Sequence, residues 1–396
     1  MLRKDLFMVP GPTTIPDRVL QAMHRQMINH RSVEYEKLFG GITKGLQRLF
    51  GTSGDVITYP SSGTGALEAA LVNTLSPGDK VLALSAGVFG DYFAEIAKNF
   101  GLDVEKMDFP WGKGLSPEWL AERLSADRKH EIKAIIVTHN ETSTGVTHDI
   151  KALSKARGNH PALIYVDAVS SLAAIPLKMD EWNLDVVVTG SQKGLMLPPG
   201  LSFLAMNARA WEAYRHSKLP KFYWDALTAK NFLVKSQNPY TPAISLLYGL
   251  EEVLRCFEEE GMENIFARHR RMRDALRDGA KAINLRLLAE DKVASPTVTA
   301  VCMPEGIEGK KLQKVMNDEY GVSLASGLEK LANRVVRVGH LGNVFETDIL
   351  TTLSTLEMAL LKMGVDIELG ASVRAAQHII LKTEGVITNQ KQILLG

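Results

Sequence analysis

The sequence predicts an α/β protein: a mainly parallel central sheet flanked by helices, followed by a smaller C-terminal α+β unit. Three observations carry this. Short β-rich runs at 80–84, 133–138, 162–167 and 185–190 alternate with helix-like stretches, at intervals that accommodate crossover helices. The 396 residues are 45% apolar, enough to bury a large core and to form more than one unit. From about Glu263 a long charged helical run begins, and strand-like segments resume near 296–304 and 334–339. The chain therefore divides into an N-terminal arm (1–20), a large unit (21–262) and a small one (263–396).

In chain order, the first informative stretch is Tyr59-Pro60-Ser61-Ser62-Gly63-Thr64-Gly65-Ala66-Leu67-Glu68, which passes from small hydroxyl and glycine residues straight into a helical apolar pattern. Amides at a helix start favour an anion, and Gly63 and Gly65 let a phosphate approach the backbone. N-capping by Ser62 or Thr64 is the plainer alternative. Gly63-x-Gly65-x-x-Glu68 lacks the third glycine of a dinucleotide fingerprint, which argues against a nicotinamide dehydrogenase.

The run 162–166 ends in Asp167-Ala168-Val169-Ser170-Ser171, placing a carboxylate at the C-terminal end of a buried strand, where open α/β sheets bind ligands. The next run ends in Gly190-Ser191-Gln192-Lys193-Gly194, followed by Pro198-Pro199-Gly200. A lysine amine, with an ordinary pKa of about 10.4, becomes a useful nucleophile only where its surroundings favour the neutral form. Phosphate loop, carboxylate and lysine together point to pyridoxal 5'-phosphate, with Lys193 as its covalent anchor and Asp167 as partner of the ring nitrogen that makes the ring an electron sink. The segment 201–206 follows after a short turn, which suits an antiparallel return strand. Arg337 interrupts the apolar run Val335-Val336-Arg337-Val338-Gly339, so its charge demands a partner. A substrate carboxylate can provide one through two parallel hydrogen bonds.

Composition excludes several classes. A formal charge of +1 provides no reason to expect nucleic acid or an anionic membrane surface. No apolar stretch approaches the roughly 20 residues of a membrane span. Arg3, Lys4 and Asp5 precede no signal-like segment, and 392–396 does not match a Ser-Lys-Leu terminus, so a cytoplasmic protein is expected. Cys256 and Cys302 lack metal-ligand spacing, as do His139 and His148, and no metal is expected. The charged run through His269-Arg270-Arg271-Met272-Arg273 reads as a solvated helix face.

The order of these stations resembles the class V aminotransferases, and within them the alanine/serine–glyoxylate (serine–pyruvate) group. The resemblance runs from Pro10-Gly11-Pro12-Thr13 to Arg337-Val338-Gly339, through Ser62–Ala70, Glu141-Thr142-Ser143-Thr144-Gly145-Val146 and the Asp167 and Lys193 segments. It implies a fold-type I pyridoxal phosphate transferase and a homodimer whose active sites are shared between subunits. It assigns Phe89 to stacking on the cofactor, where relatives often carry Trp, and Ser143 to its polar edge. Ser62, Gly63, Thr64 and Gln192 fall to the phosphate, Arg337 to the substrate carboxylate, and Gly11 to the substrate entrance. Asn238, Tyr240 and Thr241 would reach the partner's site, with Thr241 on the phosphate. The implied reaction is a ping-pong transamination between small amino acids and 2-oxo acids: alanine or serine as donor, glyoxylate or pyruvate as acceptor. Ureidoglycine–glyoxylate transamination, with Asn238 providing an amide contact, is an alternative. So is a non-catalytic complex subunit that retains the fold.

Overall fold

The structure, a computed structural model, describes residues 5–383. Arg3, Lys4, the 392–396 segment and the ends of the first and last units lie outside the described residues. The described strands are β1 (Leu6–Met8), β2 (Asp55–Tyr59), β3 (Lys80–Ser85), β4 (Asp103–Asp108), β5 (Ile132–Thr138), β6 (Asn140–Glu141), β7 (Val146–Thr147), β8 (Leu163–Asp167), β9 (Val186–Gly190), β10 (Ser202–Met206), β11 (Val298–Cys302), β12 (Val322–Ser326) and β13 (Val335–Gly339).

Seven strands form the main sheet in the order β2-β10-β9-β8-β5-β3-β4. The pairs from β9 to β4 are all parallel, whereas β10 runs antiparallel to both β9 and β2, as the short turn before it requires. The apolar runs are continuous because both faces are covered. Ile164 and Val166 enter the core on one side and Leu163 and Tyr165 the core on the other, and Ile135 and Val137 alternate likewise with Ala134 and Ile136. Sequence reading missed β2 and β4. β4, Asp-Val-Glu-Lys-Met-Asp, is the outer strand and keeps charged side chains toward solvent, which suits an edge but hides the strand signal.

The second sheet, β1-β12-β13-β11, takes in the N-terminal β1, which pairs in parallel with β12 through Leu6↔Val322 and Met8↔Leu324. Its core joins Met8, Val301, Val336 and Val338 to Met272, Leu276, Leu353 and Ala376 from the helices Met262–Ala282, Glu346–Lys362 and Ala371–Thr383. The first of these helices is not a solvated face. Arg270 is exposed, but Arg268, His269, Met272 and Arg277 are buried. The reason lies in their side chains: Arg268 binds Glu260 and the carbonyls of Gly342 and Val344, and Arg277 binds Asp291 and the Ala289 carbonyl. A long stem with a forked donor lets arginine pack as an apolar residue while tying loops together.

The two layers meet at a buried polar cluster. Asn140 donates to Ser170 and Thr297, both at 2.9 Å, and accepts from Ser295 at 2.6 Å and Thr147 at 2.8 Å. No described helix is long and apolar enough to cross a membrane. Among the described residues no cluster of His, Cys, Asp and Glu could hold a metal ion, and Cys302 is buried and Cys256 half-buried, both free.

Candidate active site

The parallel strands end on one side of the sheet, and the functional side chains stand on the loops that leave those ends. Asp167 is the last residue of β8, opposite Val188 of β9, and Lys193 lies three residues beyond the end of β9. Asp167 is buried, with one carboxylate oxygen accepting the Val169 amide at 2.8 Å. Burial pushes its pKa up to about 6, helped by the nearby Glu141 charge and opposed by Val169 and Lys193. The Lys193 amine falls to about 8, chiefly through burial and then through the Arg337 charge. Its neutral fraction at pH 7 is thereby raised roughly two hundredfold over an ordinary lysine.

The N-terminal arm covers this lysine. Lys193 Nζ donates to the Pro10 carbonyl at 2.6 Å, the Thr13 hydroxyl donates to the Lys193 carbonyl at 3.0 Å, and the Thr13 amide donates to the Gln192 carbonyl at 3.1 Å. Gly11, at φ +131°, is required: an added Cβ would lie 2.5 Å from Nζ.

The helix Gly63–Thr74 starts behind the lysine strand. Ser62 stands at its N-cap position but makes no capping bond, so the plainer reading of this loop is not realised. The Gly63 and Thr64 amides have no acceptor among the described residues. Gly63 packs on Val169, and a Cβ on Gly190 would lie 3.0 Å from the Gly63 nitrogen and 2.9 Å from Gln192 Oε1. That Gln192 oxygen is buried without a hydrogen-bond partner. Ser62, Gly63 and Thr64 thus form a cradle of open donors, and the neighbouring Gln192 amide can serve a phosphate only through its nitrogen, since its oxygen accepts.

Arg337 sits in mid-β13 between Ala325 of β12 and Ala300 of β11. It is 7% exposed and donates to the Ser326 carbonyl at 2.7 Å and the Thr142 carbonyl at 3.3 Å. No carboxylate among the described residues forms an ion pair with it, and burial lowers its pKa to about 10. Arg334, three residues earlier, is exposed.

Other expected residues are placed differently. Phe89 is half-buried in the first turn of the helix Val88–Asn99, and Ser143 is fully buried with its hydroxyl committed to Glu141 at 2.5 Å and to the Val88 amide at 3.0 Å. Asn238 is buried with its amide held by the Tyr35 hydroxyl and the Thr58 carbonyl, and Arg31 donates to its carbonyl at 2.6 Å. Tyr240 stacks on Tyr223 with ring centroids 5.2 Å apart and donates to the Phe222 carbonyl, while Thr241 is exposed. None of these three bonds to the Lys193 loop of its own chain. Glu141, a buried carboxylate beside Ser143, escaped the sequence reading; its local signal is a run of polar residues, 138–144, directly after an apolar strand. Elsewhere, a groove of about 1140 Å³ at the opposite ends of the strands is lined by Arg157 and Arg209, which are both paired with Asp185.

Comparison with known proteins agrees with this geometry. The family model for aminotransferase class-V matches residues 6–341. The chain is 44% identical to the soluble hydrogenase 42 kDa subunit of Anabaena cylindrica, covering 95% of this chain and 98% of that one. It is 43% identical to the serine–glyoxylate aminotransferase of Methylorubrum extorquens, covering 96% of each. Among solved structures, the alanine–glyoxylate aminotransferase of Nostoc sp. superposes with a TM-score of 0.86 at 32% identity, over 91% of this chain and 96% of that one.

Proposed function

The chain belongs to the class V aminotransferases, and from that premise we propose that it transfers the amino group of alanine or serine to glyoxylate or pyruvate with pyridoxal phosphate as cofactor. The observation that carries the reading is a pair of basic side chains facing one site. Lys193, half-buried beyond the end of β9, has its pKa lowered to about 8, and Arg337 is buried with its hydrogen bonds going to carbonyls rather than to a carboxylate.

The residues present fit the cofactor. The Gly63 and Thr64 amides, Ser62 and Gln192 would hold its phosphate, Asp167 its protonated ring nitrogen and Lys193 its aldehyde carbon. Phe89 would lie against the ring. When bound, pyridoxal phosphate supplies the electron sink that lets the substrate Cα–H bond break. The chain's own residues do the rest. Lys193 Nζ would take the proton from the substrate Cα and deliver it to the cofactor's former aldehyde carbon, a role for which a pKa near 8 is matched to neutral pH. Asp167, ionised above pH 6, keeps the ring nitrogen protonated. Arg337 fixes the α-carboxylate through its two-pronged donor. The Pro10–Thr13 stretch lies over the lysine and limits water.

We further infer a homodimer in which Tyr240 and Thr241 complete the partner's site, while the Asn238 amide stays bound to Tyr35 and Thr58 of its own chain. Support comes from the exposed Thr241 and from Phe222, 78% exposed next to Tyr240. A cytoplasmic location suits the two free cysteines. The hydrogenase-subunit description of one relative raises a second reading, a structural subunit of a larger complex. The retained Lys193, Asp167 and Arg337 favour catalysis by this chain itself. The test is an absorbance scan of pure protein with pyridoxal phosphate, before and after alanine or serine, then after glyoxylate or pyruvate. Reversible conversion between the aldehyde and amine forms, abolished in Lys193→Ala, is the expected result. No cofactor band would turn the assignment toward the subunit reading.

A further inference from the structure

The helix Val88–Asn99 begins after Gly87, which carries no side chain to cap it, so its first amides need acceptors from elsewhere. All three find them at the end of β6 and in the turn that follows. The Val88 amide donates to Ser143 Oγ at 3.0 Å, and the Phe89 and Gly90 amides donate to Glu141 Oε2 at 3.1 and 3.0 Å. Glu141 Oε1 takes the Ser143 amide at 3.0 Å and the Ser143 hydroxyl at 2.5 Å. The fit is tight. A Cβ on Gly87 would lie 2.4 Å from the Glu141 carboxyl carbon and 2.5 Å from Ser143 Oγ, so only glycine lets the carboxylate reach the helix.

This arrangement has a cost that fold stability alone does not explain. Glu141 is 1% exposed, and burial pushes its pKa up against the pull of its donors. Its charge also acts on two groups already placed in the site, raising the Asp167 pKa and supporting the Arg337 cation. The turn that bears it is the one whose Thr142 carbonyl receives Arg337.

Building on the aminotransferase reading, we propose that Glu141 is a positioning residue for the cofactor. By capping the Phe89 helix from the end of the neighbouring strand, it sets the height of the Phe89 ring relative to Asp167, and it adds a second negative charge on the side of the site where the ring nitrogen is protonated. It touches neither cofactor nor substrate. It acts through Phe89, Ser143 and the local field.

The experiment compares wild type, Glu141→Gln and Glu357→Gln as full-length holoenzymes. Glu357 is the internal control: a buried carboxylate that accepts the Gly370 and Ser372 amides, both at 2.7 Å, at the start of the Ala371–Thr383 helix, away from the cofactor residues. Both variants should lose thermal stability. Only Glu141→Gln should raise the dissociation constant for pyridoxal phosphate, by about tenfold, because Phe89 and the local field are displaced from the position the cofactor needs. It should also weaken the circular dichroism induced in the cofactor's visible band and lower kcat more than it raises KM. If Glu141→Gln loses stability as Glu357→Gln does but binds the cofactor with wild-type affinity and dichroism, the proposal is overturned. Should Glu141→Gln not fold, Glu141→Asp retains the charge on a shorter arm. A graded loss of affinity and dichroism then supports the role, and wild-type values reject it. Wild-type protein that fails to bind pyridoxal phosphate would instead sink the aminotransferase reading.

Discussion

Gly11 and Lys193 share one space: a methyl group on Gly11 would lie 2.5 Å from both Cδ and Nζ of the lysine. The arm and the lysine are therefore fitted to each other to within an atom. Gly11→Ala should leave the second sheet and its β1 strand intact, because the substitution lies beyond Met8, but should slow pyridoxal phosphate incorporation by about tenfold or more, the order expected for a misplaced reacting group. The growth of the cofactor absorbance band measures this. Incorporation at the wild-type rate would mean that the arm is displaced when the cofactor enters.

Arg337→Lys exchanges a two-pronged donor for a point charge. Charge-assisted bonds contribute roughly 1.5–3 kcal/mol, so loss of one should raise KM for alanine or serine about tenfold to a hundredfold, with a smaller change in kcat. The exposed Arg334, changed to Lys, should behave as wild type. Initial-rate kinetics decide the matter, and an unchanged KM in Arg337→Lys would remove the arginine from substrate recognition.

Asp167→Asn separates function from stability. The folded-state pKa of about 6 lies above the ordinary carboxylate value. The folded chain therefore holds a proton that the unfolded chain has lost between about pH 4 and 6, and its stability falls as pH rises through that window. Above pH 6 the ionised carboxylate costs on the order of 2 to 3 kcal/mol. An asparagine oxygen can still accept the Val169 amide, so the cofactor-free variant should be more stable than wild type at pH 7.5 while transamination collapses. Urea denaturation of both proteins without cofactor checks the sign.

What could be read from residues alone follows from how local each signal is. Asp167 was legible because it ends an apolar run buried on both faces, Lys193 because it stands three residues beyond another, and Arg337 because it breaks one. The edge strand β4 and the three-residue β1 were not, because neither presents a long apolar pattern. The run 269–273 is not the solvent-facing stretch its charges suggest: His269 and Met272 are buried, and only the fold supplies partners such as the Gly342 amide that His269 accepts. Glu141 left only a faint trace, a polar run after an apolar strand, because its partners at the Phe89 helix are amides about fifty residues upstream.

Acid should unfold this protein early. His139, His148, His269 and His340 are fully buried, and burial lowers their pKa values to about 4, 3, 3 and 3. The unfolded chain takes up these protons below about pH 6.5 and the folded chain does not, so their stability contribution is complete above 6.5 and lost as pH falls. Each costs up to about 1.4 kcal/mol per pH unit, and the four together about 5. The melting temperature should drop steeply between pH 6 and 4, and His269→Gln should reduce that slope by about a quarter. A flat profile over this range would contradict the buried neutral histidines.

The parallel pairing of β1 with β12 has a consequence for biosynthesis. On the ribosome β1 is made long before the strand it must join, which does not exist until Val322 has been translated. Lys193, Asp167 and the phosphate loop are all made before then, but the Pro10–Thr13 segment that closes over the lysine is anchored by β1. A nascent chain can fold its main sheet and expose the lysine early, and it gains a closed site only after β12 has left the exit tunnel.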